Sequence, residues 1–336
     1  MLFSCAALRS LTLACCRFAL PATVSLPSVE TLLLSHVNGP DSDVQRLVSG
    51  CPRLADLSIV ACRALTAVTV LGARLRRLAI LCSDSLAAVA VDASELRHFE
   101  YSGFVPDGRN FLTLHGDAQR RRGMAYCKVN ICGAEATSEY KLTHLRQFLQ
   151  LFAADAEHLQ LESARLGAGA DKDASVSFPT FPNLRRLELW GRLPDKDAAA
   201  AAAALATVNR ILTSTPELES LALGFHSPAY SRSRRESQDC PEELLSGQQL
   251  RYNPHGRGLA AAPQAPCLRS TVRELSLVHY QGGVAQRSLA RFVLRSAPAI
   301  AEVYCGCAEG DWSTLSQLKR EIIGWVMNKS ANTIFA

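Results

Sequence analysis

Cys51-Pro52-Arg53-Leu54-Ala55-Asp56-Leu57-Ser58-Ile59-Val60-Ala61-Cys62 contains a six-residue phrase, apolar-x-x-apolar-x-apolar, at Leu54, Leu57 and Ile59. Side chains of a strand alternate between its two faces, so Leu57 and Ile59 enter one core while Ser58 faces out. Pro52 forbids a helix from running on into that strand. Cys62 stands where a small buried side chain can close the turn after it.

The phrase recurs along the chain. It is found at Leu8/Leu11/Leu13, Val29/Leu32/Leu34, Leu75/Leu78/Ile80, Leu86/Val89/Val91, Leu96/Phe99/Tyr101, Leu184/Leu187/Leu189, Leu218/Leu221/Leu223 and Val272/Leu275/Leu277, with Ile300/Val303/Cys305 as a degenerate further copy. First positions are 21 (29−8), 25 (54−29), 21 (75−54) and 21 (96−75) residues apart, inside the roughly 20–29-residue period of leucine-rich repeats. The pattern resembles that repeat and predicts an α/β solenoid. Its curved parallel β-sheet would carry helices and irregular segments on the convex side, each unit covering its neighbour's apolar face. Met1–Gly103 and Ser270–Ala336 should share one parallel sheet, with Leu57 and Leu78 together in it.

Between residues 54 and 96 a second set is interleaved. Leu65/Val68/Val70 and Leu86/Val89/Val91 follow their main strands after 11 residues (65−54 and 86−75). That spacing leaves no room for a helix, so strand or irregular turn is expected on the outer side. Elsewhere there is room. Asp43–Leu54, Val208–Leu218 and Ala290–Ile300 can be laid on one another as amphipathic helix, stop, Pro-x-Leu or Pro-x-Ile, then strand. Leu145, Phe148, Leu149 and Phe152 before Leu159 and Leu161 form a fourth copy without the proline. Ala198–Ala204, led in by Asp195-Lys196-Asp197, reads as a strong helix former with acidic residues at its start.

The organisation follows. Residues 1–225 form the repeat array, irregular over 104–141 with a loop around 115–124. Residues 226–268, polar and rich in Gly, Pro and Gln, form a mobile insertion. Residues 269–336 hold the last repeats and a cap, with Leu315, Leu318, Ile322, Ile323, Trp325 and Val326 on a helix closing the array's end.

Composition excludes several function classes. At 48% apolar residues the chain has ample core material, yet no run of about 18 apolar residues suggests a membrane span. Arg9 and Arg17 interrupt the apolar start, arguing against a signal peptide. A net charge of +5 is mild, and Arg120-Arg121-Arg122 is the one basic run, read as a solvated loop, so no nucleic acid is expected. Twelve cysteines scatter through apolar strands and turns. Free thiols acting as small buried hydrophobes suit Cys15, Cys16, Cys62 and Cys82. Cys305-Gly306-Cys307 and Cys127-x4-Cys132 lack the second pair a zinc site needs. No metal, no cofactor and a reducing compartment, cytoplasmic or nuclear, are therefore expected. Nucleophile-elbow, phosphate-loop, zinc-protease and dinucleotide motifs are all missing, so the chain reads as no enzyme and has no catalytic residues.

Cys51–Cys62, then Ser94-Glu95-Leu96-Arg97-His98-Phe99-Glu100-Tyr101-Ser102-Gly103, and finally Leu289–Pro298 with Glu321-Ile322-Ile323 and Ile334-Phe335 together resemble the plant F-box/leucine-rich-repeat proteins with a carboxy-terminal FBD module. The resemblance implies a ubiquitin-ligase receptor whose repeats select the protein to be ubiquitinated and whose F-box binds the ligase adaptor. No three-helix F-box precedes Leu8, so adaptor binding is not expected of this sequence. The expected function is a non-catalytic protein-interaction scaffold with a protein partner on the concave sheet face. A repeat-based small-molecule sensor and a truncated gene product are the alternatives. Candidate contact residues are the outward strand positions Asp56, Arg77, His98, Glu100, Arg186, Glu188, Trp190 and Glu274. Trp190 falls just past Leu189 on the outward parity, and reads either as a binding anchor or as packing under the 191–194 loop.

Overall fold

A computed structural model describes residues 2–17, 20–72, 74–106, 111–116, 124–132, 139–167, 178–193, 198–226, 250–252 and 265–336. The chain divides into two compact units, Met1–Cys132 with Thr143–Glu157, and Gly133–Leu142 with His158–Ala336. Arg120–Arg122, Asp195–Asp197 and nearly all of 226–264 lie outside the described residues.

The first unit is built on strands β1 (Ser10–Ala14), β2 (Thr31–Ser35), β3 (Asp56–Val60), β5 (Arg77–Leu81), β7 (His98–Gly103) and β9 (Tyr126–Ile131), paired in that order and all parallel. Register follows the repeat: Leu32 faces Leu57, Leu57 faces Leu78 and Leu78 faces Phe99. The second positions of the phrase thus form one buried ladder, as does the row Leu34, Ile59, Ile80 and Tyr101. Strands β4 (Ala67–Val70), β6 (Ala88–Asp92) and β8 (Leu112–His115) form a second parallel sheet on the outer side. The interleaved phrases are therefore strands, one of the two outcomes that the 11-residue spacing allows. Residues 104–141 are more regular than expected, because β8 and β9 keep the register of both sheets, with Phe99 opposite Cys127.

Helix α1 (Asp41–Ser49) closes the free edge of β4. The Gln45 amide donates to Thr69 O at 2.8 Å and accepts from Thr69 N at 3.0 Å, while the Asp41 carboxylate accepts from the backbone of Thr66 and Ala67. An open strand edge is a template for unwanted pairing, and these two side chains cover it. Helix α2 (Glu139–Gln150) carries Leu145, Phe148 and Leu149 into the core beside Phe152.

In the second unit β10 (His158–Arg165), β11 (Arg186–Arg192), β12 (Ser220–Phe225), β13 (Glu274–Tyr280), β14 (Glu302–Cys307) and β15 (Asn332–Phe335) pair consecutively and in parallel. Crossovers run through α3 (Ala198–Thr213), α4 (Pro266–Ser270), α5 (Val284–Ser296) and α6 (Trp312–Trp325). The stop before several strands is one turn used repeatedly. Leu54 N bonds Cys51 O, Leu218 N bonds Thr215 O and Ile300 N bonds Ala297 O, with Pro52, Pro216 and Pro298 second in the turn, where their fixed φ fits. Leu26–Val29 and Phe181–Leu184 repeat it with Pro27 and Pro182.

Two expectations need correction. Helix α6 does not cap the array: it crosses from β14 to β15, and β15 is the outermost strand of this unit's sheet. Only Leu318 and Ile322 of α6 are buried, and Ile323 is 51% exposed. Cys15 and Cys82 are exposed rather than buried. They sit with His36 and Ala61 at left-handed backbone (φ 50–52°) directly after their strands, where Cys15 N, His36 N and Ala61 N each bond the carbonyl ending the next strand and Cys82 N bonds Ser102 O, one residue before the end of β7. Cys62 does fill its predicted role, with its thiol on Leu34 O and its backbone N–H on Ser83 Oγ. Within 226–268, His226 is buried, Leu250 N bonds Glu309 O and Arg251 N bonds Gln281 O.

Candidate functional site on the open strand face

Inward positions are filled with apolar side chains, so any contact surface on the sheets lies at the outward positions. In the first unit Asp56, Arg77, His98 and Tyr126 form one lateral row and Ser58, Ala79, Glu100 and Lys128 the next. Arg77 Nη2 reaches across to Glu100 Oε1 at 2.7 Å, and the rings of His98 and Tyr126 lie 6.4 Å apart. Arg77 and His98 are exposed, Asp56 and Glu100 half-buried. Such an exposed ion pair contributes little to stability, about 0–1 kcal/mol.

The second unit gathers a denser cluster. Trp190 lies inside β11 rather than past its end, on the outward parity that Glu188 shares. Trp190 Nε1 donates to Glu188 Oε2 at 3.1 Å, and His158 Nε2 donates to Glu188 Oε1 at 2.9 Å. The hydrogen bond from His158 is the main force holding the Glu188 carboxyl below its usual range; burial opposes it, and the Trp190 N–H adds to it. The Trp190 ring lies 6.2 Å from His226 and 6.3 Å from His279, and His226 Nε2 stands 3.8 Å from Glu162 Oε1. Burial lowers the His279 pKa, which favours the neutral ring against the indole. Arg186 and Glu274 stand on one row, with Ser220 between them, outside this cluster.

Trp190 is half-buried rather than part of the core. Its indole lies over Gly224 of the neighbouring strand: a methyl group there would come 2.1 Å from Trp190 Cε3. The glycine is the seat of the ring. Gly224→Ala should therefore lift the indole off the sheet, raising its quenching by acrylamide, at a cost of about 1–3 kcal/mol of stability for the overpacking. Unchanged quenching would show that the ring does not depend on this seat.

His158, Glu162, His226 and His279 were missed from sequence. The first two were readable, since His158 and Glu162 flank the inward pair Leu159/Leu161 at outward positions. His226 lies one residue past β12, and His279 sits in a register shift of β13 at φ 56°. Period-two alternation says nothing about either place.

The depressed Glu188 pKa has a pH consequence. A carboxylate whose folded pKa is lowered contributes stability above the ordinary glutamate value of 4.5 and loses it as pH falls through the folded value. Glu188→Gln should be less stable than the parent at neutral pH by roughly 0.5–1 kcal/mol, discounted for partial exposure. The gap should close in acid. Urea midpoints of both proteins at neutral and acid pH test this.

A cavity of about 350 Å³ lies elsewhere, lined by Phe111 and Leu112 with Thr143, Arg146, Gln147, Phe148, Gln150 and Leu151. Its walls are α2 and β8, not the outward strand positions. Among the described residues no cluster of three or more His, Cys, Asp or Glu could hold a metal ion, and no helix is long and apolar enough to cross a membrane.

Parallel strands that recur at 21- and 25-residue spacing in the first unit agree with a leucine-rich repeat. Residues 1–115 match the family model described as FBD-associated F-box protein At5g56370, LRR repeats. This part of the chain is similar to leucine-rich repeats of the FBD-associated F-box type. No curated protein matches the chain. The matched leucine-rich repeats span β1 to β8, so Asp56, Arg77, His98 and Glu100 lie within them, while the Trp190 cluster lies beyond.

Proposed function

We propose that this chain is a non-catalytic protein-interaction scaffold that holds a protein partner on its outward strand positions, as the substrate-recognition repeats of an F-box ubiquitin-ligase receptor do. The observation that carries the reading is the Trp190 cluster. An indole braced by Glu188 and seated on Gly224 offers a large, rigid, amphipathic contact that loses little side-chain entropy on binding. Tryptophan is enriched among residues that dominate binding energy, and such anchors sit within a polar surround. Here the surround is Glu188, His226 and His279.

Affinity capture with the full chain, followed by titration of the captured protein, tests the reading. Trp190→Ala should weaken that binding by about 2 kcal/mol or more, roughly thirty-fold in Kd. Glu217→Ala, on an exposed proline-led turn, should bind as the parent does. Equal affinity of the Trp190 variant and the parent would sink the proposal.

The small-molecule reading draws on the cavity beside α2, whose volume falls within the ligand-pocket range of about 300–1,000 Å³. A thermal shift produced by a small apolar ligand and abolished by Phe148→Trp would favour it over the scaffold.

A further inference from the structure

Cys305 and Cys307 flank Gly306 on β14, and side chains two residues apart on a strand share a face. Their sulfurs are 3.7 Å apart. Two steps of about 3.3 Å put the Cα atoms about 6.6 Å apart, near the upper end of the roughly 4.4–6.8 Å a disulfide spans. A small contraction of the backbone is enough, and glycine between the cysteines is the residue best able to allow it.

The two thiols are unequal. Cys305 is fully buried, and its hydrogen bond with Cys307 together with burial raises its pKa. Cys307 is half-buried; its pKa is lowered by the same hydrogen bond, against burial, with the Lys319 ammonium assisting. The accessible sulfur is the better attacking nucleophile and the buried one is placed to resolve.

We propose that Cys305 and Cys307 are a reversible dithiol–disulfide pair, oxidised by a low-molecular-weight disulfide, whose closure loosens the strand β15. The Cys307 thiolate attacks one sulfur of the oxidant, forming a mixed disulfide and expelling one thiolate. Cys305 then gives up its proton and attacks Cys307 Sγ, expelling the second thiolate. Two protein thiols become one disulfide and the oxidant becomes two thiols, so two electrons pass to it. The consequence for β15 follows from the hydrogen bonds: Cys307 N bonds Ala336 O at 3.0 Å and Ala336 N bonds Cys305 O at 3.1 Å. Contraction between the cysteines pulls these two groups away from Ala336. Because β15 is short and, among the described residues, pairs in this sheet with β14 alone, its hold depends largely on that pairing.

The reduced full chain is incubated with oxidised glutathione, alkylated without reductant and digested with trypsin. The peptide 296–319 holds only these two cysteines. It should emerge unalkylated and lighter by two hydrogens, and Cys305→Ser should instead retain a glutathione adduct on Cys307. A lasting adduct in the parent protein, or bonding of either cysteine to another, overturns the pair. In hydrogen exchange the oxidised protein should exchange amides 332–336 roughly tenfold faster, reverting on reduction. Unchanged exchange in a protein carrying the disulfide overturns the coupling to β15.

Discussion

Phe99→Ala is expected to lower the unfolding free energy of the first unit by about 3–5 kcal/mol. Phe99 is fully buried in an aromatic cluster centred on Phe148, stacked on Phe152 at 4.7 Å and edge-on to Phe148 at 6.0 Å. Tyr101 and Phe111 close the cluster, each packed edge-on to Phe148. Removing the ring loses its transfer free energy and leaves a hole that β7 and α2 cannot both move to fill, since β7 is fixed in register on both sides. His98→Ala, one residue away on the exposed face, should change stability by no more than about 0.5 kcal/mol. Urea midpoints for the two variants measure the contrast. A Phe99 variant as stable as the His98 variant would mean that the ladder of inward residues is not the core of this unit.

Gln286→Leu should be the most damaging polar substitution. Gln286 is buried on α5, and its Oε1 accepts from Gln281 N at 2.8 Å and Gly282 N at 3.2 Å. Those two amides lie at the turn from β13 into α5, where Gly282 adopts φ 72°. Leucine fills similar space but offers no acceptor, and each buried amide left without a partner costs about 1–3 kcal/mol. A fall in midpoint equivalent to about 2 kcal/mol or more is expected, with Gln286→Glu retaining much of the parent's stability because it keeps an acceptor. If leucine is tolerated, water or a neighbouring carbonyl must serve those amides.

The ladder around Leu57 was plain in the sequence because strand periodicity is a local property. Leu54, Leu57 and Ile59 declare one face, and a copy 21 residues later declares that the next strand lies beside it. The proline-led stops were equally readable, since proline acts through its own ring. Even so, Pro27 and Pro182 went unremarked although they stand in the same turn. The candidate contact face was half readable. Its outward parity was correct for Arg77, Glu100, Glu188 and Trp190, because parity is counted along one strand.

What only the tertiary structure decided is which outward residues meet. Seating Trp190 on Gly224 needs two strands brought into register for residues 34 apart in the chain (224−190), and no local rule connects the pair. The same holds for the Gln45 amide covering the edge at Thr69, and for His226 and His279 reaching the indole from a strand end and a register shift. The sequence by itself determined the repeat, the inward core and the turns, because each depends on periodicities and backbone limits spanning a few residues. Long-range packing alone decided the seat of Trp190, the covered edge and the crossover role of α6, because these depend on neighbours distant in the chain.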